Sequence, residues 1–331
     1  MTPPGQDWGE IFVCGYQGIH PPAEFISLLK AYRLGGVIFF ERNIPSPQVL
    51  QEQITYLSQS VNYPLFFMID QEGGRVNRIK KGFPVFPGNK FYGDKQDFKA
   101  AKEAYRATSM ELRKLGLNVN LAPVADVVRD NSNYMAERSF GSDSESVAQF
   151  TKTAVEAIRS AGIFSCAKHF PGIGNLKQDP HEVLPVNMQS AEEFRSKDFI
   201  PFQAAIEAGV ELVMTTHVKC PSLDATQPAT FSRRMVTEIL RQKLKFEGLI
   251  ISDDMEMGGI ANYFEIASAC EKAFLSGHDL LLICHSVQKQ VQVLEYFARK
   301  IASGEIPQDR LQESLERIRH YKKRLIQNAA V

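Results

Sequence analysis

Eight short apolar runs, each followed by a stretch that reads as helix, set the limits on what this chain can fold into. The runs are Ile11–Gly15, Gly36–Phe40, Leu65–Ile69, Asn118–Leu121, Ile163–Ala167, Leu212–Thr215, Leu249–Ser252 and Asp279–Cys284. Most are rich in Val, Ile and Phe and lack a clean polar alternation, which is how strands covered on both faces of a parallel sheet read. The helix-like stretches are Pro22–Leu34, Pro47–Val61, Phe98–Leu115, Ser144–Ala161, Ala191–Ala208, Arg233–Lys245, Phe264–Ser276 and Val287–Ser303. Several stop at a glycine (Gly35, Gly116, Gly162, Gly209, Gly277), as helix C-termini do. Strand and helix alternating eight times predict an α/β fold, a (β/α)8 barrel of TIM type, with an extra C-terminal helix at Gln308–Gln327. A doubly wound open sheet is the alternative. No low-complexity linker or charge-block boundary divides the chain, so residues 1–331 read as one catalytic domain.

Charge narrows the function. Lys+Arg and Asp+Glu both number 38, so no net charge draws the chain to nucleic acid or to a membrane surface. The basic run Arg317–Arg324 reads as the solvated face of the last helix. The N-terminal residues lack the basic and apolar regions of an export signal, and no run approaches a membrane span. Five cysteines without CxxC spacing, with Cys14, Cys166 and Cys284 inside apolar runs, suit small buried hydrophobes in a reducing cytoplasm. A cytoplasmic monomer without metal or organic cofactor is expected.

The barrel reading places chemistry. Active sites of such barrels lie at the C-terminal ends of the strands. Asp70 follows the third run, Lys168-His169 ends the fifth, His217 follows the sixth and Asp253 the seventh. Lys168 emerging from a buried strand is hard to explain as a solvated lysine. In the loop beyond it, Asp179-Pro180-His181 is pushed to extended geometry by the proline, so Asp179 and His181 point the same way. A carboxylate there raises the histidine pKa and suits it to proton transfer. Alone, such a loop triplet is usually surface decoration, and its position eleven residues after Lys168 is what turns the reading toward chemistry. Asp253, in Leu-Ile-Ile-Ser-Asp-Asp-Met-Glu-Met, is either a nucleophile emerging into a cleft or a salt-bridged strand end. Alternation along a strand predicts that Asp254 faces away from it. In Asp70-Gln-Glu-Gly-Gly-Arg75-Val-Asn-Arg78 a carboxylate can accept two hydroxyl hydrogens at once, and the paired glycines let the backbone approach a ligand. The bland reading is a turn with a surface ion pair, applied to Glu72 and Arg75.

Taken together, these motifs resemble the family-3 glycoside hydrolases, specifically the bacterial β-N-acetylglucosaminidases, from Gly36 to about Gly259. The resemblance implies a retaining exo-enzyme in which Asp253 is the nucleophile and His181, held by Asp179, is the acid/base. It implies that Asp70, Arg78, Arg138, Lys168 and His169 hold the non-reducing sugar, with His217 and Met257 as walls of the pocket. Ile173, Asn175 and Pro180 depart from the family pattern and put the mobility of the acid/base loop in question. His20, His278, His285 and His320 match nothing and read as structural or exposed. The implied substrate is a small glycan or muropeptide, GlcNAc–anhydromuramyl peptides in cell-wall recycling. A phosphorylase or broad β-glycosidase of the same family stays open. So do a Schiff-base aldolase built on Lys168, a metal-dependent enzyme and a non-catalytic sugar-binding protein.

Overall fold

In the computed structural model, which describes residues 7–130, 134–176, 178–180 and 182–329, the eight apolar runs are strands hydrogen-bonded in a closed ring. They are β1 (Phe12–Cys14), β2 (Gly36–Phe39), β3 (Phe66–Ile69), β4 (Val119–Asn120), β5 (Phe164–Phe170), β6 (Leu212–Thr215), β7 (Leu249–Asp254) and β8 (Leu280–Ile283). Every neighbouring pair is parallel, and β1 closes the ring by pairing with both β8 (Val13 opposite Leu282) and β2 (Val13 opposite Gly36). An open sheet would leave one of those two sides of β1 unpaired, so the fold is a (β/α)8 barrel. Nearly all strand side chains are buried, because the interior and the helix layer each cover one face.

The surrounding helices are α1 (Ala23–Tyr32), α2 (Pro47–Ser60), α3 (Phe98–Lys114), α4 (Ser144–Ser160), α5 (residues 191–207), α6 (Arg234–Lys243), α7 (Ile266–Ser276) and α8 (Val287–Ala302), with α9 (Gln308–Ala329) last. Their starts follow from capping chemistry. Ser46, Asp97, Asp143 and Ser286 each accept a backbone N–H three residues on. At α1 the left-handed residue is Arg33 (φ 54°) and not the expected Gly35. Gly35 is needed instead for space, since a Cβ there would lie 2.0 Å from the Glu10 carbonyl oxygen. Two helices depart from regular winding: α5 contains a π-helical stretch at Phe194–Asp198, and α6 is π-helical along its length.

The face of the barrel at the strand N-termini is closed by α9. Glu10, Glu211 and Asp279 precede β1, β6 and β8 and are almost wholly buried. Lys322 donates to Glu10 (2.7 Å), Arg324 to Glu211 (3.1 Å) and Arg317 to Asp279 (3.1 Å). The basic run is therefore not a solvated face at these positions, because three buried carboxylates require cationic partners. All five cysteines are buried and free. Among the described residues no helix is long and apolar enough to cross a membrane.

Candidate active site

At the opposite face, where the strands end, lies a cavity of about 550 Å³ lined by Asp70, Arg78, Arg138, Lys168, His169, Asp179, Asp253 and Met257. Its floor is a network of ion pairs. Lys168 Nζ donates to Asp70 Oδ1 (2.7 Å) and lies 2.6 Å from Glu72 Oε1. Arg138 grips Glu72 through two parallel bonds of 2.9 and 2.8 Å, and Arg78 donates to Asp70 at 3.2 Å. Arg138 also donates to His169 Nε2 (3.2 Å), while His169 Nδ1–H points to Asp126 Oδ2 (2.7 Å), which sets the tautomer of the ring.

Local structure explains how these groups meet. After β3 the chain forms a tight two-stranded ribbon, Gln71–Gly73 against Val76–Asn77. Gln71 Oε1 accepts the N–H of Arg78 and of Ile79, which fixes where Arg78 leaves the ribbon. Gly73 and Gly74 sit at φ 98° and 57°, and a Cβ on either would lie 2.7 Å from the Pro87–Gly88 backbone. These glycines serve the turn and close backbone packing, not ligand approach. β5 runs three residues beyond its apolar sequence run, and its ladder to β6 shifts register between Lys168 and Phe170. Both Lys168 and His169 line the cavity across that shift.

The charges in the network balance: Asp70, Glu72 and Asp126 against Lys168, Arg138 and Arg78. Burial pushes the Glu72 carboxyl up, but the Arg138 and Lys168 charges outweigh it and hold it well below the usual carboxylate range. Asp70 is depressed in the same way, burial being overcome by Lys168 and Arg78. Burial pulls Lys168 down, yet Asp70 and Glu72 raise it above an ordinary lysine. An amine that forms a Schiff base must lose its proton. Lys168 is set to keep it, which removes the physical basis of the aldolase reading.

Asp253 differs from these. Among the described residues its carboxylate takes one hydrogen bond, from the N–H of Asp254 at 2.9 Å. Asp254 also lines the cavity, against the expectation from strand alternation. The reason is a register irregularity where β7 meets β8, between Leu280 and Leu282, the latter opposite Asp254. The Asp254 carboxylate is nevertheless engaged: Oδ1 accepts the N–H of Glu256 and of Cys284, and Oδ2 lies 3.0 Å from His285 Nε2. Of the two neighbours, Asp253 is the one with oxygen lone pairs to offer.

His217 lies elsewhere. It is fully buried and not among the residues that line the cavity, with Nε2–H donating to the Asp254 carbonyl (2.9 Å) and Nδ1 2.7 Å from Thr230 Oγ1. His181 falls outside the described residues, although Asp179, Pro180 and Glu182 around it are described. Ile173 is buried, and Asn175 ties the loop to Gln189 (3.0 Å).

Several lining residues were not visible as site residues in the sequence. Glu72, read there as a surface ion pair, is buried between two cations. Asp126, buried and bonded to His169 rather than lining the cavity, follows β4 in irregular structure with no motif around it. His285 lines the cavity mouth against Phe40, with ring centroids 5.2 Å apart. Tyr134 also lines it, its buried hydroxyl without a hydrogen-bond partner among the described residues. Among those residues no group of three His, Cys, Asp or Glu side chains is placed to hold a metal ion.

Residues 12–321 match the glycosyl hydrolase family 3 N terminal domain. The chain belongs to glycosyl hydrolase family 3. That membership makes it a glycoside hydrolase. It is 36% identical to the beta-hexosaminidase of Tolumonas auensis over 282 residues, 84% of each chain. To the beta-hexosaminidase of Hydrogenovibrio crunogenus it is 35% identical over 267 residues, 79% of this chain and 74% of the relative. Among solved structures of the family, it is similar to the beta-N-acetylglucosaminidase from Paenibacillus sp. str. FPU-7, with a TM-score of 0.94 and 33% identity over 97% of this chain. The chain spans 62% of the length of that structure. It is also similar to the beta-N-acetylhexosaminidase from Beutenbergia cavernae, with a TM-score of 0.89 and 25% identity over 96% of this chain and 97% of the other.

Proposed function

We propose that the chain is a retaining exo-β-N-acetylglucosaminidase. The observation that carries this is the contrast within one cavity among the described residues: Asp253 accepts one hydrogen bond at the end of β7, while the floor charges Asp70, Glu72, Arg78, Arg138 and Lys168 are all paired. A floor of fixed, paired donors and acceptors is pre-oriented for sugar hydroxyls and needs no reorganisation on binding. The names of the related hexosaminidases support an amino sugar, and that of the similar beta-N-acetylglucosaminidase from Paenibacillus supports GlcNAc.

In the proposed reaction an Asp253 carboxylate oxygen attacks the anomeric carbon. The bond from that carbon to the glycosidic oxygen breaks, and the leaving oxygen takes a proton from His181. Water then attacks the same carbon, its proton passes to His181, and the bond to Asp253 breaks. Asp179, which lines the cavity, orients and charge-stabilises the histidine. We place the substrate among GlcNAc-terminated muropeptides of cell-wall recycling, acted on by a cytoplasmic monomer.

The deciding experiment is the initial rate on p-nitrophenyl β-GlcNAc beside p-nitrophenyl β-glucoside, first in phosphate-free buffer and then with phosphate. Turnover of the first alone is expected, and Asp253→Asn should abolish it while the sugar still binds. A higher rate on the glucoside would overturn the sugar assignment. Turnover only with phosphate would make the enzyme a phosphorylase. Full activity of Asp253→Asn would remove it as nucleophile.

A further inference from the structure

The loop that carries Asp179 is tied to the segment that follows the proposed nucleophile. Leaving β7, the Met257 N–H donates to the Asp254 carbonyl (3.0 Å), and the chain turns into a short helix, Gly258–Ala261. From there the Gly259 N–H donates to the Pro180 carbonyl (3.0 Å), and Asn262 Nδ2 donates to the Glu182 carbonyl (2.9 Å). These two acceptors flank position 181 on either side. On the loop's own side, the N–H groups of Glu182 and Val183 both donate to the Asp179 carbonyl (3.0 and 3.2 Å).

Close packing reinforces the tie. A Cβ on Gly259 would lie 2.8 Å from the Pro180 oxygen, 3.0 Å from the Val183 oxygen and 3.1 Å from His217 Cβ. The backbone at Gly259 lies outside the left-handed region, so glycine is required there for room and not for conformation. His217 backs the contact from below and is itself bonded to the Asp254 carbonyl. Nucleophile segment, glycine and loop are thus stacked in direct contact.

We infer that Gly259 and Asn262 are positioning residues for the acid/base: together they latch Pro180 and Glu182, the described neighbours of position 181, to the nucleophile segment and so set the distance between the two halves of the chemistry. This rests on the acid/base assignment proposed above. The latch uses one backbone N–H and one exposed side-chain amide, so it can be weakened without touching Asp253 or the sugar-binding floor.

The test exploits leaving-group chemistry. In the glycosylation step, which kcat/KM reports, a phenyl leaving group needs a proton from the acid and a 2,4-dinitrophenyl group does not. Gly259→Ala and Asn262→Ala would be compared with wild type and with His181→Ala on both glycosides of β-GlcNAc. General acid catalysis contributes roughly 10²–10⁴-fold. A displaced latch should therefore cost about tenfold or more on the phenyl glycoside and under about twofold on the dinitrophenyl one. Both variants should behave as weakened forms of His181→Ala. Equal loss on both glycosides, or none on the phenyl glycoside, would overturn the latch while His181→Ala kept its leaving-group dependence. If His181→Ala itself showed none, the acid/base assignment would fail, and the latch with it. Asn262 is exposed, so its variant keeps the test alive should Gly259→Ala fold poorly.

Discussion

Replacing Glu72 by Gln should destabilise the protein more than any other single amide substitution on the cavity floor. The change is isosteric and keeps a hydrogen-bonding group. It removes the one carboxylate shared by Arg138, at 2.8 and 2.9 Å, and Lys168, at 2.6 Å. Both cations are nearly inaccessible, so neither can recover hydration. Removing one partner of a buried pair typically costs about 3–5 kcal/mol. Unfolding entropy is about 2.1 cal/mol/K per residue, which for 331 residues gives about 0.7 kcal/mol/K. The expected drop in Tm is therefore about 4–7 °C. Thermal unfolding at pH 7, followed by circular dichroism, measures it. Sign follows from linkage. Glu72 is held below its unfolded value, so its contribution is complete above the ordinary carboxylate pKa and fades as pH falls through the depressed one. The gap between wild type and variant should narrow only under acid conditions. A double-mutant cycle with Lys168→Met should show coupling of about 1 kcal/mol or more. A drop under about 1 °C, or strict additivity in the cycle, would refute the shared-carboxylate account.

Other outcomes follow from the same geometry. His278 is fully buried, and desolvation lowers its pKa to about 4. It binds its proton more readily unfolded, so its contribution is complete above about pH 6.5 and lost on the way down to pH 4, roughly 3 kcal/mol in all; His278→Asn should flatten that part of the stability-versus-pH curve. Tyr134→Phe removes a buried hydroxyl that lacks a partner among the described residues, so the free enzyme should lose no stability and gain up to about 1–2 kcal/mol; a clear fall in Tm would show a bond is being made. Glu211→Gln strips a common acceptor from Arg159, Arg324 and Ser165 and should cost on the order of 2 kcal/mol, discounted because both arginines are about a third exposed; urea unfolding checks it.

The barrel was legible because apolar strands that lack alternation can only be buried on both faces, and each began within two residues of its apolar run. The ends of β5 and β7 were not legible. Lys168, His169, Asp253 and Asp254 are polar, and only the assembled network makes burying such residues in strands tolerable. Asp70, Lys168 and Asp253 were visible from their place at strand ends. Glu72 and Asp126 were not, since each is defined by partners 43 to 96 positions away. His217 carried a site-like position, but its ring is fully buried against Thr230 and the Asp254 carbonyl, and burial of that kind is decided by packing. The basic run in α9 misled because a helix repeat cannot say whether the surface opposite is water or a buried carboxylate.

The carboxylates Glu10, Glu211 and Asp279 and their clasp by α9 sit on the face away from the cavity. The clasp therefore adds a second set of buried ion pairs at the end of the cylinder that takes no part in the cavity. An engineer seeking a different leaving-group preference has a free hand with the rim segments after β2, β4 and β8, where Phe40, Tyr134 and His285 project. The same freedom does not extend to the clasp, where a neutral change leaves an orphaned charge. Directed evolution of this enzyme should accumulate substitutions almost wholly on one half of the molecule.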